Sequence, residues 1–96
     1  KKPSDKNQDK PTYVLGNYYV GDFTVQVGAF KDKENALNLK NKLAKVYGDV
    51  DVVIYESNQG IFYRVRVARC KTLDEARQYE KRLETHGFPN AIVVAR

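Results

Sequence analysis

"TVQVGAF", Thr24–Phe30, is the stretch on which the fold turns. Val25, Val27 and Ala29 alternate with Thr24, Gln26, Gly28 and Phe30. Successive side chains of an extended chain point to opposite sides, so period-two alternation predicts a strand buried on one face. The other row is unusual. A face that only meets water more often carries Lys, Glu or Thr, whereas this one sets an amide beside a glycine and ends on an aromatic ring.

Outward from this stretch the chain repeats itself. A shift of 40 residues matches Val25 to Val65, Val27 to Val67, Lys31 to Lys71, Ala36 to Ala76, Leu43 to Leu83, Val52 to Ile92 and Val53 to Val93. Each half reads strand, helix, strand. Two copies are too few for a solenoid and instead make a pseudo-symmetric βαββαβ unit.

The helices carry local start and stop signals. Asp32 caps the first, and Ala36, Leu39, Leu43, Val46 and Tyr47 form one apolar stripe before Gly48 ends it. The second opens on Thr72 and Glu75 with capping-box spacing. Its stripe is Leu73, Ala76, Tyr79 and Leu83; Gly87 closes it and Pro89 forbids continuation. His86 falls in the last turn, where the helix dipole favours a surface histidine.

Between the helices, "VDVVIYE" and "IFYRVRVA" flank "SNQG", a hairpin with a short glycine-containing loop. "NAIVVAR" is the last strand. The expected fold class is α+β, ferredoxin- or RNP-like. It has a four-stranded antiparallel sheet in the order 4-1-3-2 and both helices on one face. Val25, Val27, Ala29, Tyr63, Val65 and Val67 are expected to face the helices. Thr24, Gln26 and Gly28 of the first strand, with Phe62, Arg64, Arg66 and Ala68 of the third, are expected on the open face.

A chain of 96 residues builds one small core. Residues 1–12 hold two prolines and no aromatic or branched aliphatic residue, and read as a flexible tether without a signal-peptide pattern. Residues 13–96 are the domain, with the repeat over 23–96. Tyr13, Val14, Leu15, Tyr18, Tyr19 and Val20 are too apolar for a free linker, and lie against the domain or lead into its first strand. No apolar run approaches the ~20 residues of a membrane span. A net charge of +5 points mildly toward an anionic partner, though part of it sits in the tether.

Catalysis finds little support. Ser4 and Ser57 are the only serines, and neither stands in a nucleophile context. Asp49, Asp51 and Glu56 read as solvated charges. One His and one Cys do not make a four-ligand metal site, Cys70 reads as a small apolar residue at a strand-to-helix corner, and no cofactor is expected. Binding has more support. Gln26 offers donor and acceptor, Arg64 and Arg66 offer planar forks for carboxylate or phosphate, and Phe62 offers a ring for a sugar or base face.

"FTVQVGAF", a helix led by "ENA", then "IFYRVRVA" and "DEARQYEKRLETHGF" resemble the SPOR domain, the peptidoglycan-binding module named for sporulation-related repeats. The resemblance covers roughly residues 20–96. It implies a non-catalytic module that binds glycan strands stripped of their stem peptides and targets its parent protein to the bacterial division septum. It implies a location in the cell envelope, a monomer, no nucleic acid and no membrane insertion by this segment. The family's glycan-facing positions fall on Gln26, Phe62, Arg64 and Ile92. Arg66 joins them by parity with Arg64. The family often has Ser where Ala29 stands, so one hydroxyl contact is absent here.

Two other readings share the βαββαβ order. An RNA-recognition module stacks bases on outward aromatics of the central strands. Here Arg64, Arg66 and Gln26 occupy those places. A ferredoxin-like interaction or regulatory domain would pair by its sheet edges.

Overall fold

The computed structural model describes residues 13–15 and 18–96. The expected tether, residues 1–12, lies outside them. The elements run β1 (Tyr13–Leu15), β2 (Tyr18–Phe30), α1 (Lys33–Tyr47), β3 (Val50–Ser57), β4 (Gly60–Thr72), α2 (Leu73–Thr85) and β5 (Ile92–Ala95). All strand pairs are antiparallel. The four main strands lie in the order β5-β2-β4-β3, which is the predicted 4-1-3-2 arrangement with β2 and β4 central. β1 pairs with residues 18–20 of β2 and extends the edge that β5 also occupies. The described residues of the apolar segment ahead of the repeat thus pair with one another, and residues 18–20 are the start of β2 itself.

Local signals set the helix ends. Asp32 accepts from the Glu34 N–H at 2.9 Å, and Gly48 ends α1 at φ 82°. Thr72 accepts from the Glu75 N–H at 3.1 Å. The Glu75 carboxylate returns to the Lys71 N–H at 3.3 Å, while Thr72 itself stays in the ladder opposite Val20. At the other end of α2, Gly87 takes φ 102°. The Phe88 N–H reaches the Leu83 carbonyl at 2.9 Å and the Gly87 N–H reaches that of Glu84 at 3.3 Å, the two bonds of a Schellman stop.

Both helices lie on one face of the sheet. Ala36 and Leu43 of α1 and Ala76 and Leu83 of α2 share a core with Val25, Val27, Val65 and Val67. Leu39, Tyr47, Leu73 and Tyr79 pack at its border. Val46 was expected in the first stripe, but it falls at the margin of the arc and is 64% exposed.

Two bulges correct the expected assignment of faces. Gln26 pairs with Arg66 and Gly28 with Val65, so β2 spends two residues where β4 spends one. Val27 is the extra residue and stays buried. Beyond it the alternation is out of phase. Gly28 shares the helix side with Val65, Ala29 shares the open side with Arg64, and Phe30 shares the helix side with Tyr63, packed against the core. Ala29 is therefore an open-face residue and Gly28 is not. The second bulge is in β4: Val25 pairs with Val67 but Phe23 with Cys70. Ala68 there adopts φ 71°, a left-handed conformation that costs an L-residue roughly 1–2 kcal/mol. Its N–H donates to the Asp49 carbonyl at 2.8 Å.

Thr24 and Ala68 were expected on the open face, and both are buried. The Thr24 hydroxyl lies 3.0 Å from the Val67 carbonyl oxygen and 2.7 Å from that of Ala68, donating to the backbone at the bulge.

Candidate functional site

Cross-strand pairing arranges the open face in rows. Ile92, Gln26, Arg66 and Asp51 follow one another across β5, β2, β4 and β3. Ala29, Arg64 and Val53 form the next row, and Phe62 and Tyr55 the one after it. A tight turn at Asn58 and Gln59 then closes the β3–β4 hairpin between paired Ser57 and Gly60. The Gln59 N–H donates to the Ser57 hydroxyl at 3.1 Å, fixing the turn.

The hairpin end of this face holds a hollow of about 470 Å³. Gln26, Ala29, Phe62 and Arg64 line it from the central strands, and Tyr55 with Ser57, Asn58 and Gln59 from β3 and its turn. The bulge at Val27 lies beside this hollow, and an extra residue in one strand bends it and increases the local twist. Of the residues singled out by sequence, the structure brings Gln26, Ala29, Phe62 and Arg64 together. Arg66 and Ile92 flank Gln26 in its own row and do not line the hollow.

The electrostatics are one-sided. The Arg64 guanidinium carbon stands over the Tyr55 ring, 3.7 Å from its centroid, a close cation–π contact. The Lys31 ammonium is 5.8 Å from the Phe62 centroid, near the outer limit of a cation–π contact. Burial, then the charges of Arg64 and Arg96, pull the Arg66 pKa below its usual value. Its Nε is enclosed with no hydrogen-bond partner among the described residues. Arg96 pairs with Asp51 at 3.4 Å. These two stand at opposite edges of the sheet, so the Arg96 side chain crosses the open face at the end where Thr24 and Ala68 are buried.

Tyr55 and the turn residues escaped the reading of the sequence. The signal was present: a two-residue turn pairs Tyr55 with Phe62, and parity then puts both rings on the open face. Reading "SNQG" as loop left that register uncounted. Two other side chains show no chemistry of a site. Cys70 is buried, and burial followed by the Glu75 charge pushes its thiol up to about 11. His86 caps α2 and shares a 2.9 Å hydrogen bond with the Tyr47 hydroxyl, tying the two helices. Among the described residues no three His, Cys, Asp or Glu side chains are placed to hold a metal ion. No helix among them is long and apolar enough to cross a membrane.

Comparison with family models gives a match over residues 19–95 to the SPOR domain. Comparison with curated proteins and with solved structures gives no match.

Proposed function

This chain belongs to the SPOR domain family, whose members are non-catalytic modules that bind peptidoglycan in the cell envelope, and from that premise we propose that its open sheet face takes glycan strands stripped of their stem peptides. The observation that carries the reading is the meeting of Gln26, Phe62 and Arg64 around one hollow.

The chemistry of the two sides matches. Removing the stem peptide frees the lactyl carboxylate of each N-acetylmuramic acid. Arg64 pairs with that carboxylate through charge-assisted hydrogen bonds, which are stronger than neutral ones. Gln26 exchanges hydrogen bonds with an N-acetyl group, and Phe62 lies along a sugar ring. Ala29, small and exposed, lets the sugar approach the backbone of β2. Arg66 and Ile92 extend the contact on either side of Gln26, with Arg66 contributing a second positive charge toward a repeating anionic ligand. An intact stem peptide converts the carboxylate to a neutral amide and adds bulk, and a shallow hollow discriminates on both counts. Affinity is expected near the micromolar range, about −8 kcal/mol.

Stripped glycan accumulates where amidases work at a division site. A monomeric module of this kind therefore carries its parent protein to the septum.

The test is titration of folded wild type, Gln26→Ala and Arg64→Ala with stripped glycan fragments, intact peptidoglycan fragments and a single-stranded RNA. Arg64→Ala is expected to lose about 1.5–3 kcal/mol, as for a hydrogen bond to a charged group. Added salt should weaken wild-type binding, because the ion pair lies near the surface. Wild-type affinity in both variants, or preference for RNA, removes the sheet-face glycan mechanism.

A further inference from the structure

A guanidinium exposed on a sheet has many rotamers, and fixing it costs side-chain entropy when a ligand arrives. Arg64 does not stand free in this way. Its guanidinium carbon lies at van der Waals distance over the centre of the Tyr55 ring. Tyr55 comes from β3, directly opposite Phe62, and is held in line by the tight turn that closes the hairpin. A guanidinium stacked by its face keeps its N–H groups in the plane, at its rim, clear of the ring. Tyr55 and Arg64 both line the hollow.

We propose that Tyr55 is a positioning residue for ligand binding: its ring holds the Arg64 guanidinium in the hollow before the ligand arrives, with the in-plane N–H fork presented to an incoming carboxylate. The proposal rests on the reading of the hollow as a glycan site, and adds to it a residue that acts through Arg64. Tyr55 thereby sets selectivity for the free carboxylate over its amide, because an oriented fork rewards an anion with two parallel bonds and a swinging one does not.

The test has one arm without ligand and one with it. In the free protein, the ring current of Tyr55 shifts the Arg64 side-chain proton resonances upfield. That shift should vanish in Tyr55→Leu and persist in Tyr55→Phe, with thermal melts reporting that each variant is folded. With stripped glycan, Tyr55→Ala should weaken binding about two- to fivefold, the equivalent of an exposed cation–π contact. Tyr55→Phe should recover the loss. Selectivity for stripped glycan over glycan with amidated lactyl groups should fall in Tyr55→Ala.

The double variant decides between acting through Arg64 and touching the ligand. Tyr55→Ala should cost nothing further in an Arg64→Ala background, because the group it positions is gone. An undiminished cost there overturns the proposal, as does unchanged binding by Tyr55→Ala or the absence of a ring-current shift in wild type. If wild type shows the shift but does not bind stripped glycan, the glycan reading fails and takes the positioning role with it. If wild type binds but shows no shift, only the positioning role fails.

Discussion

Replacing Thr24 with Val exchanges one hydroxyl for a methyl group at a position with 0% exposure. The hydroxyl carries one proton and has two acceptors, the Val67 and Ala68 carbonyls at 3.0 and 2.7 Å. At least one of these buried carbonyls is left facing a methyl group in the variant. A buried polar atom deprived of its partner costs about 1–3 kcal/mol. The extra apolar carbon returns less than 1 kcal/mol, since a buried methylene is worth about 0.8 kcal/mol and the site is already filled. Net destabilisation of about 1–2 kcal/mol is therefore expected. Thr24→Ser keeps the hydroxyl and gives up the methyl, isolating the packing part at about 1 kcal/mol. Urea unfolding at constant m-value measures both. A Thr24→Val protein as stable as wild type would refute the view that this hydroxyl secures the β4 bulge.

Leu43→Ala and Leu83→Ala, at matching places in the two helices, should each cost about 2–4 kcal/mol in the same assay, since both side chains lie in the core. Gly28→Ala should change stability by less than about 0.5 kcal/mol: the strand gains from losing a glycine, while the new methyl meets the Phe30 ring at 3.4 Å. The raised thiol pKa of Cys70 favours the neutral form in the folded protein, so its contribution is complete below the ordinary value of 9.0 and is lost as pH rises toward about 11. Stability measured from pH 8 to 11 should accordingly fall less steeply in Cys70→Ala than in wild type, and parallel curves would remove the assignment.

The fold was legible because its signals are local and repeated. Asp32, Gly48, Thr72 and Gly87 each mark a helix end by chemistry that needs no distant partner. The offset of 40 residues then gave the order of elements. The site was legible in part. Gln26, Phe62 and Arg64 follow from alternation counted over short distances. Alternation failed at Val27 and Ala68, because a bulge is decided by how two strands fit across the ladder. Ala29 and Gly28 exchange faces for that reason, and parity alone does not reveal that Thr24 is covered. Tyr55 was missed through register, which depends on whether the hairpin loop is counted as two residues or four.

The extra residue in β2 separates two properties that could have been bound together. The bend of β2 beside Gln26 and Ala29 comes from a mismatch in backbone count between paired strands, whereas the walls of the hollow are side chains. A population of sequences descending from this one can therefore exchange the lining residues while inheriting the same bent strand. Point substitution changes the lining and leaves the backbone count untouched. Only an insertion or deletion alters that count: loss of Val27 would remove the bend and leave Gly28, Ala29 and Phe30 paired with Val65, Arg64 and Tyr63 on the sides they already occupy.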